Sequence, residues 1–316
     1  MARLLLARLL QAVPVLLVVS VVAFGITWII PGDMAAEMAG PTATASDLER
    51  LRVELGLDRP PLERFLAWFG GVLTGDLGRS VLLNQAVSTA ILERLPVTLS
   101  LAGLALFFAC LLGIPLGAIA AAHANRWPDQ AAMGAALVGL SLPDFWLGLS
   151  LIWVFAVQFG WLPTGGFVPL HEDPVGWMRC MAMPAGALAL TQLGPIARMT
   201  RASLLEVLRG DFVRTARAKG LSERRVIGLH ALAAALVPII TVAGIGFGVL
   251  LGGAVVIEQV FSLPGVGRLI IGAVQRRDYP VIQGGLLLTA SVFVLVNLLV
   301  DVLYLVVDPR LREGSK

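Results

Sequence analysis

The sequence predicts an all-α, polytopic integral membrane protein with six transmembrane helices, and three observations carry that prediction. First, only 14% of its 316 residues are charged and 57% are hydrophobic, with a mean hydropathy of +0.85, whereas soluble domains carry roughly 25% charged residues. A chain this apolar cannot hide its side chains in one aqueous core, so the bilayer is its solvent. Second, the charges gather between long uncharged runs, each near or above the ~20 residues a helix needs to cross hydrocarbon. Third, these runs lack the alternation over about ten residues that barrel strands show. Abundant Gly and Pro and seven Trp also suit membrane helices, which tolerate the first two and use Trp at the interface.

Taken in order, the first run spans Leu9 to Gly32 behind Arg3 and Arg8. It exceeds the roughly 7–15 residues of a signal-peptide core, so residues 1–31 read as a cytoplasmic N-terminus with a retained first span. Residues 32–94 are too polar to cross and form an extracytoplasmic helical segment. There Ser46 is placed to N-cap a helix bearing Leu48, Leu51 and Leu55, which stops at Gly56. Pro61 starts a second helix with an apolar stripe of Leu62, Phe65, Leu66, Phe69 and Leu73. Two roles stay open for this segment: a lid over the spans, or a docking surface for an external partner. Residues 95–316 then hold five further spans, Leu95–Ala122, Gln130–Gly160, Cys180–Ala197, Ala231–Ile257 and Tyr279 to Val300 or Val307.

Orientation follows from basic residues in short loops. With the N-terminus inside, the cytoplasmic side receives Arg3, Arg8, Arg126, the cluster from Arg198 to Arg225, and Arg310, Arg312 and Lys316, 14 of the 24 Lys and Arg. Both termini are then cytoplasmic. The remaining basic residues fall mostly in the long outer segment, where the rule is weak.

The chain lacks the motifs of covalent chemistry. Its two lysines, Lys219 and Lys316, do not follow a glycine, so no nucleotide-binding P-loop can be built. It has neither HExxH nor a Gly-x-Ser-x-Gly elbow, and Cys110 and Cys180 offer no disulfide framework or metal spacing. Any energy from ATP must enter from another chain. Asp144 and Asp301 are too few for a convincing proton relay. Asp144 follows Pro143, and two roles stay open for it: capping a helix restarted after the proline, or lining a pathway. Gly113-x-x-x-Gly117 and the Gly244, Gly248, Gly252 series would let helices approach closely.

Between the fourth and fifth runs lies "DFVRTARAKGLSERR", with Arg214, Arg217, Lys219, Arg224 and Arg225, and Arg209 just before it. Asp211 is placed to N-cap a short helix in which Phe212, Thr215 or Ala216, and Lys219 recur at helical spacing. Gly220 suits the residue after the C-cap, Leu221 the hydrophobic contact of a helix-end motif, and Ser222 the next N-cap. A loop selected only for positive charge would not need this placement of Ala and Gly. Helix, glycine stop and restart together make a rigid lever at the cytoplasmic face.

The longer stretch "DFVRTARAKGLSERRVIGLHALAAALVPII" resembles the EAA loop of ABC-importer permeases in the dipeptide/oligopeptide/nickel branch. The likeness runs nearly end to end through "PGD", "LRVELGLDRP", "GDLGRS", "ERLPVTL", "GIPLGAIAA", "FGWLPTGG", "VFSLPGVGRLI", "RDYPVIQG" and "NLLVDVLYLVVDPRLR", in that order. The resemblance implies a type I permease fold whose loop, about 198–230, forms a coupling helix in a cleft of a cytoplasmic ATPase. Carried over, Thr215-Ala216-Arg217 takes the EAA position and Gly220 the family glycine, with Asp211, Arg214 and Lys219 in the same coupling element. Pro238 and Ile239 fall near the distal hydrophobic-Pro element. The literal Glu-Ala-Ala is absent, so no glutamate takes a coupling role.

The implied partners are a homologous permease chain, two cytoplasmic ABC ATPase subunits, an extracytoplasmic substrate-binding protein and the lipid membrane, with no nucleic acid. ATP and Mg would sit on the ATPases, and this chain would bind no cofactor or metal and catalyse nothing. The implied setting is the bacterial cytoplasmic membrane. Peptide is the first substrate choice. Nickel or glutathione import is the alternative within the family, and ion-coupled secondary transport the alternative outside it.

Overall fold

The computed structural model describes residues 2–29, 34–39, 43–54, 56–80 and 82–307. The "PGD" at 31–33, Leu55, and the basic residues Arg310, Arg312 and Lys316 lie outside them. The helices are α1 (Ala2–Ile29), α2 (Met34–Ala39), α3 (Ala45–Glu54) and α4 (Pro61–Leu73), followed by a two-stranded hairpin, β1 (Arg79–Ser80) and β2 (Gln85–Ala86). Then come α5 (Val87–Ala122), α6 (Trp127–Ser141), α7 (Asp144–Leu151), whose axis continues as a π-helical turn over Ile152–Gln158, and α8 (Pro174–Val207). The remainder is α9 (Asp211–Ala218), α10 (Glu223–Arg225), a second π-helical stretch over Val226–Ala231, α11 (Leu232–Val260), α12 (Val266–Gln275) and α13 (Tyr279–Val307).

The all-α class holds, and the spans are present with one qualification. Among the described residues, five continuous helices are long and apolar enough to cross a membrane: α1, α5, α8, the run from α10 through α11, and α13. The sixth expected span is broken. α6 and α7 meet at 99° across Leu142-Pro143, because proline supplies no amide to continue the ladder and holds the preceding residue extended. Large apolar side chains face outward along the spans, among them Val13 and Val22 on α1, Leu111 on α5 and Val249 on α11. Such surfaces need lipid or another protein rather than water.

The chain divides into two compact units. One comprises 1–97 and 264–295, the other 98–263 and 296–316. In the first, the start of α5, α12 and the start of α13 share a core of Val87, Ile91, Val266, Ala273, Tyr279, Val281 and Ile282. The apolar run predicted no separate α12; at ten residues it is too short to span and earns its place by packing. Ser80 of the hairpin hydrogen-bonds buried Asp278 in the turn between α12 and α13, joining the "GDLGRS" and "RDYPVIQG" segments.

Two local expectations for the outer segment need correction. The cap of α3 is Thr44, not Ser46: the Thr44 amide donates to Asp47 Oδ2 at 3.1 Å and the Asp47 amide to Thr44 Oγ1 at 3.3 Å, a reciprocal capping box. Both residues have an acid three positions on, Asp47 for Thr44 and Glu49 for Ser46, and the helix starts at Ala45, which puts Thr44 at the cap and Ser46 in the first turn. In α4, Leu62, Leu66 and Leu73 are exposed. The inward side is Phe65, Trp68 and Phe69, with the Phe24 ring of α1 at 5.4 Å from Phe65 and 5.9 Å from Trp68. The apolar arc is wide: its aromatic edge packs on α1 and its leucine edge stays exposed.

In the second unit α8 is central, with α6, α7 and α11 packed on it. Small residues set the approach. A Cβ on Gly117 of α5 would come within 2.4 Å of the Ala197 carbonyl oxygen, and one on Gly194 within 2.6 Å of that of Ala136 in α6. The Gly113/Gly117 spacing therefore is a packing surface. The Gly244/Gly248/Gly252 series is not one: Gly244 meets Val300 of α13, whereas Gly252 has open space around it.

Candidate functional site

The second unit presents α9 between two membrane helices. Leu208–Gly210 join it to the end of α8, and Lys219–Ser222 lead into α10 and α11. Val213 and Ala216 of α9 are buried with Val226, against Val207, Leu208 and Leu221. Asp211, Phe212, Arg214, Thr215, Arg217 and Lys219 face outward. The predicted 212, 215/216, 219 series thus splits, with Ala216 inside and the others out.

The ends of α9 follow from chemistry close to the sequence. Its start corrects the reading of Asp211 as N-cap. Gly210 occupies that position with extended backbone, and Asp211 is the first helical residue, where its charge still favours the helix N-terminus. Its side chain accepts a long contact from Arg214, 3.4 Å, and its carbonyl accepts from Thr215 Oγ1 at 3.0 Å.

The stop is as the residues indicated. Gly220 has φ +78°, its amide donates to the Arg217 carbonyl at 2.9 Å, and the Leu221 amide reaches back to Ala216 at 3.3 Å. That pair is a Schellman motif, closed by Leu221 against Ala216 and Val213. Ser222 holds the next N-cap position but makes no side-chain cap.

Two bidentate ion pairs, one in this element and one upstream of it, were not read from the sequence. Arg217 grips Glu223 with both arms, Nε to Oε1 at 2.7 Å and Nη2 to Oε2 at 3.2 Å. It spans the glycine turn and raises the affinity of Arg217 for its proton. Arg217, expected at the EAA position of the coupling element, is therefore engaged within the loop. Upstream, Arg201 of α8 takes buried Asp129 of α6 in a bidentate pair, 2.5 and 2.6 Å. Asp129 Oδ2 also accepts the Asn125 amide at 2.8 Å, where Asn125 turns the chain with φ +63°. An acid immediately before the Gln130–Gly160 run was the available signal, but its partner lies 72 residues away.

Asp144 lies elsewhere. It is the first residue of α7 after the Pro143 cap position, and its carboxylate does not cap α7. It turns toward α8 and α11 instead. Asp144 lines a cavity of about 500 Å³ with Thr191 and Gln192 of α8, the Leu142-Pro143 break, Gly246 of α11 and apolar residues including Ile245 and Val249. The α11 glycines leave room for polar groups: a Cβ on Gly246 would sit 2.8 Å from Gln192 Oε1, and one on Gly253 3.0 Å from Asp144 Oδ2. Gly246 and Gly253 lie two turns apart on one face. These glycines, rather than the 244/248/252 series, adjoin the polar side chains.

Two family models match the chain. Residues 113–313 match the binding-protein-dependent transport system inner membrane component, and residues 1–102 match the N-terminal part of the same membrane component. Similar proteins include a provisionally named peptide transport system permease of Brucella abortus strain 2308, 48% identical over 99% of both chains. Another is the glutathione transport system permease protein of Escherichia coli K12, 43% identical over 96% of this chain and 97% of its relative. Both family models together reach from the first helix to the last, and the chain therefore belongs to the binding-protein-dependent transport system inner membrane component family, the multi-pass permeases of ABC importers.

Proposed function

We propose that this chain forms, with a homologous permease, the translocation pathway for small peptides, and that two cytoplasmic ABC ATPases energise it. An extracytoplasmic binding protein delivers the substrate. The observation that carries this reading is α9, an outward-facing helix fixed at both ends and joined by short connections to two membrane helices. Phe212, Arg214, Thr215 and Lys219 form the surface an ATPase cleft would hold, with some arginines free to meet lipid phosphates. Arg217, Asp211 and Gly220 shape that surface, and Val213 with Ala216 roots it. Drawing two ATPases together would move α9 as a rigid body and with it α8 and α11, opening the pathway alternately to either side.

In this reading both termini are cytoplasmic, and the chain itself catalyses nothing and binds neither ATP nor Mg. Asp144 lines the pathway. Peptide is preferred because relatives at 48% and 43% identity carry peptide and glutathione transport names, and glutathione is itself a small peptide.

The test is reconstitution in liposomes of the chain with its homologous permease, ATPases and binding protein. Uptake of a radiolabelled small peptide should require ATP and every component. Uptake that proceeds without the ATPases, or under an ion gradient alone, would overturn the reading.

A further inference from the structure

We propose that the cavity between α7, α8 and α11 is a peptide site in which Asp144 receives the substrate's N-terminal ammonium group. The proposal rests on the peptide-permease reading above and goes on to assign the recognition chemistry. Three features carry it. At about 500 Å³ the cavity lies within the range of small-molecule sites, which are apolar with a few placed polar groups. Its charged lining is one carboxylate; the other polar side chains facing it are Thr191 and Gln192, and the rest is Leu, Val, Ile, Pro and Gly. Asp144 is hydrogen-bonded by Thr191 and has no basic partner among the described residues, unlike Asp129, which Arg201 takes with two hydrogen bonds.

A carboxylate inside the span of a membrane helix marks a binding site or pathway by default. A free peptide brings to such a cavity one group of opposite charge, its terminal ammonium, which donates up to three hydrogen bonds. Gln192 presents both an amide donor and a carbonyl acceptor, suited to the peptide backbone, and Thr191 adds a hydroxyl. Ile245 and Val249 of α11, with Leu140 and Leu142, leave an apolar surface for side chains of varied shape. The glycines at 246 and 253 keep backbone rather than bulk next to the polar groups. An anionic solute or a bare metal ion would find one carboxylate and an aliphatic wall, a poor match for either.

The experiment uses the assembled transporter in liposomes with a dipeptide that has a free N-terminus and benzoylphenylalanine as its second residue. After illumination during ATP-driven turnover, adducts are mapped by mass spectrometry. The wild type should carry adducts on the cavity wall, at Ile245, Val249 or Leu142. Asp144→Asn should lower their yield about tenfold, the scale of one charge-assisted hydrogen bond, and Asp144→Glu, which keeps the charge, should retain most of it. Insertion and assembly of both variants are checked by co-purification of the ATPases. Adducts confined to other parts of the chain, or a cavity yield unchanged in Asp144→Asn, would overturn the proposal. Absence of ATP-dependent peptide uptake by the wild type would instead overturn the function on which it rests, so the two failures are separable.

Discussion

At the residue scale, the backbone of Gly220 matters more than its size. A side chain at φ +78° costs about 1–2 kcal/mol, and proline there would add loss of the 2.9 Å bond from its amide to Arg217, because its ring cannot reach positive φ. Gly220→Ala should therefore reduce ATP-driven uptake partially, and Gly220→Pro should abolish uptake and transport-coupled ATP hydrolysis while the protein still inserts. Normal transport by the proline variant would refute the coupling role of the turn.

Asp129 calls for a stability measurement instead. Breaking a fully buried pair costs about 3–5 kcal/mol; here Asp129 is buried but Arg201 is partly exposed, so Asp129→Asn should cost less than that and still lower the midpoint of thermal unfolding in detergent. A double variant that also carries Arg201→Gln should recover part of the loss. Asp47 titrates for a simpler reason: Thr44 donates to its carboxylate from hydroxyl and amide and holds its pKa below the ordinary value. The capping contribution is thus present above the unfolded pKa, near ~3.9, and is lost as pH falls through the lower folded one. Hydrogen exchange across residues 45–54 should accelerate through that acid window, and Thr44→Ala, which removes the hydroxyl but keeps the amide donor, should weaken that dependence.

At the scale of elements, α9 is legible because its determinants are local. The Ala-rich helix, the glycine with its αL conformation and the apolar residue after it act within a few positions. The start was misplaced by one residue because Gly210 holds the N-cap only slightly less well than an acid would. α4 and α12 show what periodicity misses: in one only the aromatic edge of a wide apolar arc packs inward, and the other is too short to register as a span. The Arg217–Glu223 clamp stiffens the turn but is solvent-exposed, so its removal by Arg217→Gln should cost less than about 1 kcal/mol. Phe212 is half exposed, at 50%, and roots no core. Phe212→Asp should leave the fold intact yet weaken retention of the ATPase subunits on purification; unchanged retention would place the contact elsewhere on α9.

At the scale of the whole molecule, the undecided feature was the sixth span, since α6 and α7 meet at 99°. If the pair crosses once, residues flanking it face opposite sides of the membrane; if it re-enters, they face the same side. Single cysteines at Ala124 and Glu172, introduced after replacing Cys110 and Cys180, should be labelled by an impermeant maleimide from opposite sides. Labelling from the same side would reduce the count to five spans and put the termini on opposite faces.

The amino-acid sequence alone determined the solvent of this protein, its helical class, the positions of nearly all its spans and the glycine stop of α9. These depend on composition, on run length and on rules that act within a turn or two. Tertiary structure decided which distant side chains meet. Ser80 finds Asp278 across 198 residues and Thr98 finds Glu258 across 160, while Asp144 joins Thr191 and Gln192 around one cavity. No periodicity encodes such meetings, because helices of nearly uniform hydrophobicity can turn several faces inward. Close approach at glycines and the sharp break at Pro143 select the face that packs.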